Sequence, residues 1–94
     1  MFGLESKIIN EIKSITQKFP QNKFIVFGSR ARGDYKYNSD IDIAVLGQCD
    51  DRQELNIRNE FDKMITYYSF DIVFYDNIID QEVKNSIDRE GVEI

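Results

Sequence analysis

Three aspartates stand in segments that otherwise read as β-strand. Asp40 and Asp42 are two residues apart at the start of an apolar run, and Asp71 interrupts another such run, FDIVF. Side chains two apart along a strand point to the same side, so the first two carboxylates lie together. Acids are depleted in strands, and a buried unpaired carboxylate is costly. If the two runs are neighbouring strands, Asp71 completes a cluster of three.

Such a cluster has a definite chemistry. Three carboxylates held together repel one another, which raises the pKa of at least one of them unless cations are present. The chain has no histidine, so a metal site here rests on carboxylates, which prefer hard ions such as Mg²⁺. Two Mg²⁺ ions about 4 Å apart can clamp the attacking and leaving oxygens of a phosphoryl group. The pattern by itself leaves a second interpretation open, in which Asp40 caps a turn and Asp71 lies on a solvated strand face.

A glycine and a serine, Gly28 and Ser29, follow the apolar run KFIVF shortly before the acid pair. Glycine lets backbone N–H groups approach a phosphate closely, and a serine hydroxyl adds a further donor. Arg30, Arg32 and Lys36 then bring positive charge to a chain whose formal net charge is −5. We expect this segment to hold nucleotide phosphates; a solvated turn with surface arginines is the alternative.

Hydrophobic periodicity predicts the order α-β-turn-β-α-β-α, a small α/β sheet backed by helices. Strands are predicted at 23–27, 41–46 and 70–75, and a polar turn with at most a short helical piece at 28–39. The first helix is predicted to end at Pro20. Its apolar residues recur at three- and four-residue steps: Leu4, Ile8, Ile12, Ile15 and Phe19.

Two further helices are predicted in the second half of the chain. One begins at Asp50 and Asp51, and its apolar stripe comprises Leu55, Ile57, Phe61, Met64 and Ile65. The last helix is predicted to be capped by Asp76 and Asn77 and to end at Gly91. One face of that helix is predicted to carry Ile79, Val83 and Ile87.

Length and composition limit the class of protein. The 94 residues predict one domain, 1–94, with a soluble globular balance of 41% hydrophobic and 31% charged residues. Net negative charge argues against broad nucleic-acid binding. A lone cysteine, Cys49, cannot form an intramolecular disulfide and fits a reducing compartment. The N-terminus lacks the pattern of a signal peptide and no segment reaches the ~20 apolar residues of a membrane span, so we expect a cytoplasmic protein without membrane contact.

The spacing of these motifs resembles a known superfamily. Gly28-Ser29, ten intervening residues and Asp40-Ile-Asp42 resemble the signature of polymerase-β-like nucleotidyltransferases. The wider string GSRARGDYKYNSDIDIAVL is similar to the minimal nucleotidyltransferase (MNT) group, and Asp71 within FDIVF matches the third acid. The resemblance covers nearly the whole chain. It implies the polymerase-β-like nucleotidyltransferase fold, a small mixed β-sheet backed by helices.

The resemblance implies a nucleotide site in the glycine-serine segment. Gly28 and Ser29 are implied to hold the β- and γ-phosphates of ATP. Arg30 and Arg32 are weaker candidates, each of which contacts phosphate, acceptor or solvent. Ser39 either assists the triphosphate or orders the turn.

The resemblance also implies the roles of the three acids. Asp40, Asp42 and Asp71 are implied to be the metal ligands and catalytic residues, with two Mg²⁺ ions. Asp71 is implied to help deprotonate the acceptor hydroxyl. In-line attack at the α-phosphorus then releases pyrophosphate and leaves a nucleoside monophosphate on the acceptor.

A partner follows from the same resemblance. The MNT group resembles the MntA-type antitoxins of HEPN/MNT toxin–antitoxin pairs, in which the HEPN toxins are RNases and members transfer AMP from ATP to a toxin tyrosine. Larger superfamily members have a second domain that shapes an acceptor pocket, so here the expected protein adenylyltransferase relies on the docked toxin to position the acceptor. Two alternatives remain: an antitoxin that neutralises a toxin by docking alone, and nucleotidylation of a small molecule such as an aminoglycoside, with a homo-oligomer building the pocket.

Overall fold

Four strands form one mixed sheet in the computed structural model, which describes every residue from Met1 to Ile94. The strands are β1 Lys23–Phe27, β2 Ile41–Leu46, β3 Phe70–Phe74 and β4 Val92–Glu93. Their order across the sheet is β3-β2-β1-β4. β1 runs antiparallel to β2 and β4, whereas β2 and β3 are parallel. Because parallel neighbours need a crossover connection, the segment between β2 and β3 returns over one face of the sheet.

The helices divide between the two faces of the sheet. They are α1 Ser6–Thr16, α2 Ser29–Arg32, α3 Asp51–Asp62 and α4 Gln81–Glu90, and a 3₁₀ turn, Tyr75–Asn77, follows β3. α1 and α3 pack on one face together with most of the core, and α4 packs on the other through Ile87, Phe27 and Ala44. No helix has the length and apolar content that a membrane crossing requires.

Alternation along β2 determines which face each side chain meets. Ile41, Ile43 and Val45 are buried against α1 and α3. Asp42 and Ala44 point to the opposite face, because successive side chains of a strand alternate. The predicted fold, with its three strands, is confirmed, and Asp42 lies on the α4 side of the sheet.

The first helix is confirmed, but it ends earlier than predicted. Every apolar residue assigned to its face is buried, from Leu4 to Phe19. The helix stops at Thr16 rather than at Pro20, because the next residues tighten into turns in which the Lys18 N–H donates to the Ile15 carbonyl. Phe19 reaches the core from this turn.

The start of α3 is confirmed and part of its apolar stripe is wrong. Asp50 caps the helix by accepting a hydrogen bond from the Gln53 backbone N–H. Ile57 and Phe61, one turn apart, are the buried pair. Of the other three residues assigned to the stripe, Leu55 is exposed because it lies about 200° around the helix from Ile57. Met64 and Ile65 lie beyond the end of the helix.

The entry to α4 also differs from the prediction. Asp76 and Asn77 do not cap it, because they belong to the 3₁₀ turn that directly follows β3. The cap is Asp80, whose carboxylate accepts a hydrogen bond from the Glu82 N–H. Ile79 precedes the helix and is 97% exposed. Strand β3 correspondingly ends at Phe74, one residue earlier than predicted.

The C-terminal strand β4 is absent from the sequence prediction. It has only two residues, Val92 and Glu93, which pair with β1. Gly91 ends α4 as predicted, although its φ of −66° is an ordinary value. Glycine is needed there for space, because an added Cβ would collide with the Ile25 side chain and the Ile87 carbonyl oxygen. This close approach lets the chain pass directly from α4 into the sheet.

Two isoleucines that periodicity places on one face differ in burial and give a matched test. Ile87 is 4% exposed and Ile79 is 97% exposed. We expect Ile87→Ala to lower the free energy of unfolding by about 2–4 kcal/mol, because it removes buried methyl groups and leaves a cavity. Ile79→Ala should change it by no more than about 0.5 kcal/mol. Urea unfolding followed by circular dichroism measures both; equal losses would contradict the observed packing.

Candidate active site

Asp42 and Asp71 face each other across neighbouring strands. They are Cα partners in the parallel pairing of β2 with β3. Partner residues of adjacent strands point to the same side of the sheet, so the two side chains stand together on the α4 side. The strands that carry Asp42 and Asp71 are therefore neighbours, as the predicted acid cluster requires. Asp40 lies one residue before β2 and is exposed.

The charges of the three acids act on one another. Partial burial first, and then the charges of Asp71 and Asp40, together raise the pKa of Asp42 to about 6. Arg32 acts in the opposite direction and lowers the pKa of Asp42. The three acids and Arg32 are thus close enough to influence one another electrostatically. The repulsion appears as the raised pKa of Asp42, the most buried of the three acids.

The glycine of the Gly-Ser pair lies against the Asp42 carboxylate. Strand β1 ends at Phe27, the Cα partner of Asp42, and Gly28 follows with a φ of +74°. An added Cβ on Gly28 would collide with the Oδ2 atom of Asp42. Only glycine combines this backbone conformation with such a close approach. The turn and the acid pair therefore form one site at this end of the sheet.

The turn after β1 continues into the short helix α2. The Gly28 carbonyl accepts hydrogen bonds from the Ala31 and Arg32 N–H groups, both at 3.1 Å. The first N–H groups of a helix have no carbonyl partner within it, which leaves donors beside Asp42 for an anionic ligand. The Ser29 side chain, half-buried at the same point, adds a hydroxyl.

Arg30 does not reach this ligand space, contrary to the sequence expectation. It is 2% exposed, and its guanidinium donates hydrogen bonds to backbone carbonyls of Phe2, Tyr37 and Ser39 at 3.0–3.2 Å. Its donors are therefore directed into the protein and are not available to a ligand beside Asp42. Sequence reasoning had no means to separate it from Arg32, because the two arginines alternate in one polar string.

Arg32 and Ser39 occupy different surroundings. The Arg32 guanidinium donates to Glu90 at 3.0 Å and to Asp34 at 3.2 Å, at the exposed margin of the site. Glu90, at the end of α4, was not singled out from the sequence. The Ser39 hydroxyl accepts a hydrogen bond from the Lys36 N–H at 2.8 Å, which favours the role of ordering the turn.

The acids suit Mg²⁺ in ligand type but do not form a closed metal cage. No group of three or more His, Cys, Asp or Glu side chains is arranged to hold an ion by itself. Mg²⁺ usually takes one or two carboxylates and completes its shell with water and substrate phosphate oxygens. The pair Asp42 and Asp71, with Asp40 at the margin, fits that requirement.

The chain matches the family model described as "Polymerase beta, Nucleotidyltransferase" over residues 10–94. It belongs to this nucleotidyltransferase family. The match includes the turn at Gly28, β2 with Asp42 and β3 with Asp71. No curated protein matches the sequence.

Solved structures share the fold of this nucleotidyltransferase domain. One is a toxin-antitoxin crystallised with AMP-PNP, with 23% identity and a TM-score of 0.69; the match covers 89% of this chain and 69% of that one. Two others are mutants of the toxin-antitoxin MntA-HpeT, each with 22% identity and a TM-score of 0.67. Those matches cover 96% and 97% of this chain and 72% of each of the other chains. At these identities the likeness shows the fold.

The raised pKa of Asp42 predicts that this residue costs stability at neutral pH. Its ionised form is disfavoured in the folded protein, so the cost is absent below about pH 4, grows up to the folded pKa of about 6, and is complete above it. We expect Asp42→Asn in metal-free protein to raise the free energy of unfolding at about pH 8 by about 1–2 kcal/mol, after allowance for solvent screening. Urea unfolding in chelator across this pH range measures the gain.

The matched control is Asp62→Asn, which changes an exposed acid at the end of α3. That variant should show no gain that grows with pH. An Asp42→Asn protein that is less stable than wild type at about pH 8 would contradict the electrostatic account.

Proposed function

We propose that the chain is a Mg²⁺-dependent adenylyltransferase that moves AMP from ATP to a hydroxyl of a partner protein, a tyrosine of a HEPN-type RNase toxin, and so acts as its antitoxin. The observation that carries this is the register pairing of Asp42 with Asp71 beside the Gly28 turn. Family membership supports nucleotidyl transfer. The toxin-antitoxin structures, one with AMP-PNP, support the nucleotide and the partner.

The nucleotide is assigned to the turn side of the site. Backbone donors at Gly28 and the Ser29 hydroxyl hold the β- and γ-phosphates, and Arg32 adds positive charge at the margin. Asp42, between Gly28 and Asp71, and the more exposed Asp40 hold the Mg²⁺ ions together with Asp71. When bound, these ions neutralise the carboxylates and stabilise the charge that develops on the phosphoryl oxygens.

The acceptor is assigned to the outer side of the site. Asp71 lies on β3, the edge strand of the sheet, and is exposed, whereas Asp42 lies on the second strand and is half-buried. A hydroxyl from a docked protein therefore meets Asp71 first. Asp71 accepts the hydroxyl proton as the oxygen attacks the α-phosphorus, and pyrophosphate leaves from the opposite side.

A docked partner suits the shape of this domain. Asp71 is open to solvent on the edge of the sheet, so the acceptor has to be positioned from outside the strands. Positioning alone contributes roughly 7–11 kcal/mol to lowering a barrier. In this proposal the partner provides it, by binding so that one tyrosine lies at the edge of β3.

The test uses purified protein, MgATP and the cognate toxin, with mass spectrometry of the toxin. We expect an adduct of one or more AMP units on tyrosine, dependent on Mg²⁺. Asp42→Asn should reduce its rate by about a hundredfold or more, because a ligand to the ions that stabilise the developing charge is lost. Asp62→Asn, an exposed acid outside the site, should retain the wild-type rate.

Two results would point elsewhere. Full neutralisation of the toxin by Asp42→Asn would show that docking, and not transfer, protects the cell. A nucleotidylated aminoglycoside in the absence of any protein partner would move the acceptor to a small molecule. Absence of an adduct with an active, folded pair would defeat the proposed adenylylation.

A further inference from the structure

Arg30 is a buried cation without an acidic partner. Its side chain is 2% exposed, and none of the ion pairs in the structure includes it. Burying an unpaired charge is costly unless hydrogen bonds replace its water. The contacts of Arg30 must therefore compensate for the lost hydration of its charge.

Backbone carbonyls and aromatic rings replace the water around this guanidinium. Nε donates to the Ser39 carbonyl at 3.1 Å, and Nη2 donates to the same oxygen at 3.0 Å and to the Tyr37 carbonyl at 3.2 Å. Nη1 donates to the Phe2 carbonyl at 3.0 Å. The rings of Tyr35 and Tyr68 lie 5.0 and 4.9 Å from the guanidinium carbon, at cation–π distance.

These contacts join segments that are separate in the sequence. Arg30 belongs to α2, directly after Gly28 and Ser29, so its backbone is part of the turn assigned to phosphate. Its side chain holds the carbonyls of the loop 36–39, and the next residue in the chain is Asp40. It also holds the N-terminal segment through Phe2. One side chain thus links the phosphate turn to the loop that delivers the first acid.

We propose that Arg30 is a positioning residue that sets Asp40 relative to the Gly28 turn, by holding the carbonyls of residues 37 and 39 on one guanidinium. This inference rests on the proposed function for its catalytic consequence, but the positioning itself is a property of the protein without metal or nucleotide. Arg30 touches neither substrate nor the reacting atoms, so its effect on the reaction passes through Asp40 and the turn.

The geometry requires arginine rather than any cation. Two nitrogens of the planar fork converge on the single Ser39 oxygen while a third reaches Phe2, and the flat face fits between two rings. Lysine keeps the charge but offers one ammonium nitrogen and no plane. Arg30→Lys should therefore loosen the loop while preserving the charge of the chain.

The test compares Arg30→Lys with Arg58→Lys, a matched change at an exposed arginine whose guanidinium lies over the Phe74 ring. Hydrogen exchange is measured on metal-free, nucleotide-free protein, and circular dichroism checks that both variants fold. We expect amide exchange within 28–40 to be about tenfold faster in Arg30→Lys only. In the transfer assay its kcat should fall about tenfold, with a severalfold rise in the Mg²⁺ concentration for half-maximal rate.

Amide exchange within 28–40 that is as slow in Arg30→Lys as in wild type would overturn the proposal. So would a uniform rise in exchange across the whole chain with an unchanged Mg²⁺ requirement, since that is the result of a purely structural role. If Arg30→Lys does not fold, Tyr35→Leu removes one stacked ring and keeps the guanidinium, and should give a smaller local change in the same segment. If wild type shows no transfer, the proposed function fails, and the exchange measurement still decides the positioning role.

Discussion

Two carboxylates held side by side repel one another, and the parallel pairing of β2 with β3 holds Asp42 and Asp71 in that arrangement. The free energy for it comes from the other face of the same strands, where Ile43 and Ile72, also Cα partners, are buried against α1 and α3. A one-residue slip of either strand would turn its aspartate toward that core and its isoleucine away from it. The strand pairing that buries the two isoleucines is therefore the same pairing that places the two aspartates side by side.

The rest of the site is built onto this pair from the opposite strand. Gly28, at the end of β1, approaches the Asp42 carboxylate closely enough to exclude any side chain. Arg30, two residues on, holds the loop that leads to Asp40. The glycine turn and the loop held by Arg30 thus both lie next to the mutually repelling acids. In the proposed function, a nucleotide with its cations would relieve that repulsion.

Much of this site could be predicted from local patterns. The alternation of Ile41, Ile43 and Val45 gave the strand and the side on which Asp42 lies, and glycine and aspartate spacing gave the family. The burial of Arg30 could not be predicted, because it depends on contacts with residues 2 and 35–39 and with Tyr68 that leave no periodic pattern in the sequence. Likewise β4 and the exposure of Ile79 follow from how α4 meets the sheet, a tertiary effect that overrides local hydrophobicity.

In the proposed function, Asp42 and Asp71 share divalent cations with a nucleotide held at the Gly28 turn. Calorimetric titration with a non-hydrolysable ATP analogue, with and without Mg²⁺, tests it on the isolated protein. The account predicts coupled binding in wild type, with at least about tenfold tighter nucleotide affinity in Mg²⁺, and loss of that coupling in Asp71→Asn. Nucleotide affinity that is independent of Mg²⁺, or coupling that survives in Asp71→Asn, would contradict it.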